Sequence, residues 1–209
     1  MQKDKAQDII LLLGIFLTIY FVWELFIIPS GLLRAQTAVT VSATVGTSVT
    51  CNFSTTTTNF GTIDTTAVFT SSPNVTTTVS CNPAAGCRVE IKDQGNTTTP
   101  GLFNSAANHL IPSPNSAFSA TATLVAGTEG YGIQATTTSA GSGATLSLNA
   151  RYVQTGDTVG GLTTTTIQLA SSTSPTNQRQ IVVTHKAAVS GLTPAGSYQD
   201  TITYSCVSN

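Results

Sequence analysis

The sequence predicts an all-β fold, an antiparallel β-sandwich preceded by one N-terminal hydrophobic helix. Three observations carry that prediction. Short segments of alternating apolar and polar residues recur between clusters of Gly, Ser, Asn and Pro, the spacing of a sandwich or barrel. Thr and Val are abundant, and their branched Cβ suits a pleated surface better than a helix. Finally, one long apolar run sits at the N-terminus, and no later segment has the helical periodicity to pack on it.

That run extends from Ile9 to Ile28, interrupted only by Gly14, Thr18 and Glu24, and is long enough to cross a bilayer as a helix. Two readings stay open for residues 1–35. A cleaved signal peptide would have its apolar core at Ile9 to Trp23, a turn at Pro29-Ser30-Gly31 and a cut after Ala35, against which Leu33 is bulky for the small-residue site. An uncleaved transmembrane anchor explains the length but must bring Glu24 to the interface, and Lys3 and Lys5 are offset by Asp4 and Asp8. Both imply export and contact with a membrane. Residues 36–46 form an N-terminal extension and 47–209 one sandwich domain, since roughly 170 residues bury a single core.

Strands are expected near residues 38–45, 47–53, 66–70, 75–81, 87–92, 118–125, 131–136, 144–153, 166–170, 179–186 and 198–207. The clearest alternation places Leu146, Leu148, Ala150 and Tyr152 on one face, with Ser147, Asn149 and Arg151 on the other. Between Asp93 and Ala117 the chain reads as loop, because Gly95, Pro100, Pro112 and Pro114 oppose regular structure. Within it, Leu102, Phe103, Leu110 and Ile111 are expected to cap one end of the core.

Cys51, Cys81, Cys87 and Cys206 are even in number and lie beyond the leader, where oxidation is favoured; two disulfides follow. Zinc is not expected, because paired C-x-x-C knuckles are absent and neither His109 nor His185 neighbours a cysteine in sequence. Parity puts each thiol on the core face: Cys51 shares it with Val49 and Phe53, Cys81 with Val79, Cys87 with Val89 and Ile91, and Cys206 with Ile202 and Tyr204. Arg88, Glu90, Lys92, Thr201, Thr203 and Ser205 face outward. The preferred pairing is Cys51 with Cys81 and Cys87 with Cys206, on the expectation that one strand's start lies beside an antiparallel neighbour's end. Parity leaves the rival open, a Cys81 to Cys87 clip across a turn at Pro83 and Gly86 together with Cys51 to Cys206.

Catalytic chemistry finds little support, and no cofactor is expected. Charged residues are 8% of the chain and the net charge is -1, so nothing offers a basic face to nucleic acid. Of nine acidic residues, Asp4, Asp8 and Glu24 belong to the leader. Asp64, Asp93, Glu129 and Asp157 read as turn-forming loop residues, and Asp200 as a strand-entrance residue that bonds local backbone. Neither His109 nor His185 lies near a Gly-x-Ser-x-Gly segment, and Gly141-Ser142-Gly143 and Gly160-Gly161 lack the lysine and helix of a phosphate loop. Asn-x-Ser/Thr triplets occur at Asn52, Asn74 and Asn96, of consequence only in a glycosylating host.

Three segments carry a family resemblance. Cys51 is followed by Asn59-Phe60-Gly61; Thr77-Thr78-Val79-Ser80-Cys81 leads through a short turn to Val89-Glu90-Ile91; and Pro194-Ala195-Gly196-Ser197-Tyr198-Gln199-Asp200-Thr201-Ile202-Thr203 closes the chain. Together they resemble the spore coat protein U domain, whose relatives include subunits of archaic chaperone-usher pili, with Phe60, Gly61, Gly196, Tyr198, Asp200 and Thr201 as the motif residues. The resemblance implies an incomplete immunoglobulin-like sandwich of the pilin type and a disulfide between the first two strands, Cys51 with Cys81. It also implies a groove filled by the N-terminal extension of the next subunit. Val39, Val41, Ala43 and Val45, alternating with Thr40, Ser42 and Thr44, form the candidate donor strand for such self-association; the competing expectation is that 38–45 pairs within its own domain. The expected role is an exported, non-catalytic cell-surface structural subunit, pilin-like or coat-like. The alternative is a membrane-anchored adhesin whose loops around Phe103, Tyr131 and Tyr152 bind glycan or protein.

Overall fold

A computed structural model describes residues 3–26, 39–113 and 121–209. The turn at residues 29–31, the cleavage point after Ala35, the start of the extension and the 118–120 part of an expected strand lie outside the described residues. Two compact units, Met1–Thr44 and Val45–Asn209, divide the chain.

Among the described residues of the first unit, α1 (Lys3–Phe26) holds the apolar run as far as Phe26. Its described side chains, Ile9 to Trp23, are all exposed. Among the described residues no helix is long and apolar enough to cross a membrane. Residues 39–48 form no strand, and Val39, Val41 and Val45 are 82%, 87% and 83% exposed. The strand expected over 38–45 is therefore absent. Its alternating pattern is real, but among the described residues no strand pairs with 39–45, and an unpaired β segment is not stable by itself.

The second unit is mostly β and antiparallel. In chain order its strands are β1 (Val49–Phe53), β2 (Phe69–Thr70), β3 (Val75–Cys81), β4 (Cys87–Asp93), β5 (Gly101–Asn104), β6 (His109–Pro112) and β7 (Thr121–Thr123). They continue with β8 (Gly130–Thr137), β9 (Ser142–Gly143), β10 (Ser147–Leu148), β11 (Thr158–Gly160), β12 (Ile167–Ser171), β13 (Thr176–Ala188) and β14 (Ile202–Ser208). The larger sheet runs β1-β3-β13-β8-β11-β7, with β2 and β9 also on β13; the smaller runs β10-β12-β4-β14; β5 and β6 form a separate hairpin.

Alternation explains the layering. β3 and β4 each bury every second residue, and Val79, Ile133, Ile181 and Val183 of the larger sheet share one core with Val89, Ile91 and Leu169 of the smaller. The two sheets thus stack their apolar faces in a sandwich-like arrangement. Each fully buried Val or Leu contributes roughly 1.5–3 kcal/mol relative to exposure.

Three local expectations need correction. The stretch 144–153 is not a strand: only Ser147–Leu148 pairs, and Ala150–Tyr152 forms a 3-10 turn. Asn149 starts that turn by accepting a hydrogen bond from the Arg151 amide at 3.1 Å, a local cap that competes with ladder pairing. The turn still delivers Tyr152 to the core, fully buried, with its hydroxyl donating to the Gly161 carbonyl at 3.2 Å. Second, the supposed loop after Asp93 contains the β5-β6 hairpin; Pro100 and Pro112 stand at its margins, where the lost amide costs no ladder bond. Leu102 and Ile111 are buried in the core, as expected. Third, Asp93 is no loop residue but the last residue of β4, 1% exposed. It continues the inward parity of Cys87, Val89 and Ile91.

The cysteine pairing also departs from the preferred one. Cys51 bonds Cys206 and Cys81 bonds Cys87, with Cα separations of 6.3 and 6.4 Å. β1 and β3 are hydrogen-bonded neighbours in one sheet, where Cys51 stands opposite Val79 and Cys81 opposite Val49. Both thiols point off that sheet into the core, so their partners are on the facing sheet. Cys51 meets Cys206 on β14, and Cys81 meets Cys87 across the short arch that carries the chain from β3 to β4. Gly86 makes that arch feasible: its φ is +78° and a Cβ there would lie 2.3 Å from the Ser172 carbonyl oxygen.

Candidate functional site

The two edge strands on one side of the sandwich, β1 and β14, lie beside each other and are joined by the Cys51–Cys206 bridge. One layer further on, the Phe53 and Tyr204 rings meet edge-to-face with centroids 5.4 Å apart. Beyond that contact the edge opens. β1 ends at Phe53, the chain turns away through Thr55 to Thr58, and a cleft of about 490 Å³ reaches down to Val75, Leu102 and Tyr131 of the core.

The edge strand beside this cleft is incompletely covered. The inward residues of β4, Cys87, Val89 and Ile91, are no more than 1% exposed. Those of β14, Ile202, Tyr204 and Cys206, are only half-buried, and β14 has no partner on its outer side among the described residues. An edge of this kind offers unpaired backbone groups together with apolar surface.

The motif residues, far apart in sequence, converge here. Phe60, Tyr198, Asp200 and Thr201 line the cleft. Phe60 stacks edge-to-face on Tyr131 at 6.3 Å, and the Tyr198 hydroxyl donates to the Pro194 carbonyl at 2.8 Å. Gly61 and Gly196 line an adjoining depression of about 1050 Å³ that shares Phe60 and Tyr198. Gly196 has φ +149°, and a Cβ there would lie 2.4 Å from the Asn104 amide nitrogen, so the turn before β14 requires glycine. Asp200 bonds local backbone as expected, its Oδ1 accepting from the Thr201 amide at 2.7 Å, and the same oxygen also accepts from the distant Gly95 amide at 3.1 Å.

Several groups in the site escaped the sequence reading. His185 is not at a strand end but inside β13, 5% exposed, stacked on Tyr131 and 3.5 Å from the Ser71 hydroxyl. Burial pushes its pKa down to about 4, so the ring is neutral at physiological pH. Parity could have found it, since His185 alternates inward with Ile181, Val183 and Ala187. Tyr131, central to the cleft wall, is buried, and so is Tyr152. Neither forms the exposed aromatic platform expected of an adhesin loop, while Phe103 bridges to Gln199.

Other polar candidates have structural partners. Asp64 accepts from the Thr66 amide and hydroxyl at 2.8 and 2.6 Å, bonds that hold its carboxyl below the usual range. Glu129 binds His109 Nε2 at 2.7 Å, and Asp157 pairs with Lys186 at 2.9 Å. No group of three or more His, Cys, Asp or Glu suited to a metal ion occurs among the described residues. Both disulfides leave no free cysteine. Comparison with protein-family models, curated proteins and solved structures finds no match for this chain.

Proposed function

We propose that this chain is an exported, non-catalytic structural subunit of a cell surface, built as an incomplete immunoglobulin-like sandwich of the spore coat protein U and pilin type. Its open edge accepts residues Val39 to Val45 of a second copy. The observation that carries the reading is the under-covered strand β14, half-buried on its inward face and unpaired on its outer side, beside a cleft that opens to the core.

The complementary piece is in the same sequence. Val39, Val41, Ala43 and Val45 alternate with hydroxyl residues, and the three valines are exposed. Seven extended residues span roughly 23 Å. The stretch from Tyr198 to Tyr204 along the cleft has the same number of residues. The Cys51–Cys206 bridge closes the edge beyond Tyr204, so the incoming strand lies along this stretch instead of the full length of β14. Backbone hydrogen bonds supply affinity and the alternate valines enter the cleft; three buried valines supply on the order of 5–9 kcal/mol before ordering costs.

Export is supported by the two disulfides, which suit an oxidising compartment, and by the apolar N-terminal segment, which reads as a leader. The test is deletion of Gln36 to Val45, followed by sedimentation and electron microscopy. Loss of oligomers or fibres from a still-folded domain supports strand acceptance. Assemblies that persist after the deletion rule it out.

A further inference from the structure

Asp200 lines the cleft, and a second acidic side chain, Asp93, faces it from the buried end of β4. Asp93 ends β4 opposite Ile202 of β14, and Asp200 lies two residues before Ile202. Asp93 is 1% exposed. Both of its carboxyl oxygens and Asp200 Oδ2 are sealed from water and make no hydrogen bond of normal geometry, as is also true of the Tyr204 hydroxyl. Asp200 Oδ1 is already committed to the Gly95 and Thr201 amides.

Among the described residues no cation acts on Asp93; Arg151 stands on the far side of Tyr152, at that residue's hydroxyl, with its guanidinium donating to the Gly161 carbonyl at 3.4 Å. The ion pairs among the described residues, Arg88–Glu90, His109–Glu129 and Lys186–Asp157, lie elsewhere. The groups that face the pair are Tyr131 from β8, Tyr204 from β14 and Tyr152 from the 3-10 turn. Burial raises the pKa of all three hydroxyls, so they stay neutral. His185 of β13, stacked on Tyr131, is neutral too, and Lys92 of β4 points to solvent. Two ionised carboxylates cannot coexist in such a place. One proton shared between them converts two unsatisfied acceptors into a single short O–H···O bond.

We propose that Asp93 and Asp200 form a proton-held latch, a carboxyl–carboxylate pair that seats the start of β14 on the end of β4 and keeps the cleft floor closed. Burial first, and then the Asp200 charge, push the Asp93 carboxyl up from 3.8 to about 9, against the opposing pull of the nearby Gly101 and Gly95 amides. A carboxyl raised in the folded state stabilises fully below its unfolded value. That contribution is lost as pH rises from about 4 towards 9. When hydroxide removes the shared proton, two adjacent negative charges part the β14 wall from β4. Strand acceptance by the cleft would then weaken in alkali. This last consequence rests on the strand-acceptance reading, whereas the latch does not.

The full chain in detergent provides the test. Infrared spectra of the wild type at pH 7 should show the carbonyl stretch of a protonated carboxylic acid, and Asp93→Asn should remove it. The unfolding constant of the wild type should rise by up to about tenfold per pH unit between about 4 and 9, and Asp93→Asn should lose that one-proton slope. Asp200→Asn keeps the Oδ1 acceptor for Gly95 and Thr201 but removes the neighbouring charge, so the alkaline transition should move to lower pH. Absence of the protonated-acid band in the wild type overturns the latch, whether or not the variants fold. An unchanged pH slope in folded Asp93→Asn overturns it as well. A chain that shows the band but never assembles keeps the latch and loses the strand-acceptance reading.

Discussion

Removing the two disulfides one at a time tests the topology most directly. In the chain-entropy account a bridge stabilises by shrinking the unfolded ensemble, and its worth grows with the length of loop closed. Cys51–Cys206 spans 155 residues and is worth about 5 kcal/mol, whereas Cys81–Cys87 spans 6 and is worth about 2 kcal/mol. The short loop is nested inside the long one, so removing it alters the long loop's length little and the two effects should add. The perturbations are C51A with C206A, and C81A with C87A; alanine avoids leaving an unpaired polar group in the core. Guanidinium denaturation of each oxidised double variant should separate them by about 3 kcal/mol, the C51A/C206A form being the weaker. Thiol titration in denaturant should find no free thiol in either. Two free thiols in both double variants, with near-equal losses of stability, would mean that each substitution had broken both bridges. Neither Cys51–Cys206 nor Cys81–Cys87 would then exist, and the placement of β1 against β14 would be wrong.

Other perturbations probe the core and its polar exceptions. Tyr204→Phe removes a buried hydroxyl that has no partner, so denaturant stability should stay level or rise by about 1 kcal/mol. Tyr152→Phe deletes the bond to the Gly161 carbonyl and should cost about 1 kcal/mol or less, since the Arg151 guanidinium still donates to that carbonyl at 3.4 Å. Gly86→Ala forces a side chain against the Ser172 backbone at positive φ; it should lower the melting temperature sharply and slow oxidation of Cys81 with Cys87 in refolding. Lys186→Ala, at a pair whose aspartate is half-exposed, should change stability by less than about 1 kcal/mol, an effect that added salt should shrink further.

Much of the fold was legible because alternation is a local signal. β3, β4 and the outward set Arg88, Glu90 and Lys92 follow directly from it, and the termini of β3 match the expected 75–81. It misled where a local cap outcompeted the ladder, as Asn149 does before the 3-10 turn, and where alternation lacked a partner, as in 38–45. The Asp93 error was of another kind. Asp is a common turn former and Gly95 follows closely, which suggests a loop, yet the parity of Asp93 with Cys87, Val89 and Ile91 points inward. Burial and the neighbouring Asp200 both favour the protonated, uncharged form of Asp93, and Asp200 comes from a segment far away in the sequence.

By itself the sequence determined which residues prefer extended backbone and which side of each strand faces inward, because pleating ties side-chain direction to position along the chain. It also determined that four cysteines face the core. Which sheet each strand joins, and so which thiols and which carboxyls meet, was decided by tertiary structure alone. Cys51 with Cys206, Asp93 with Asp200, and the cleft between β1 and β14 all depend on edges brought together from opposite ends of the domain, and parity carries no information about what lies across the core.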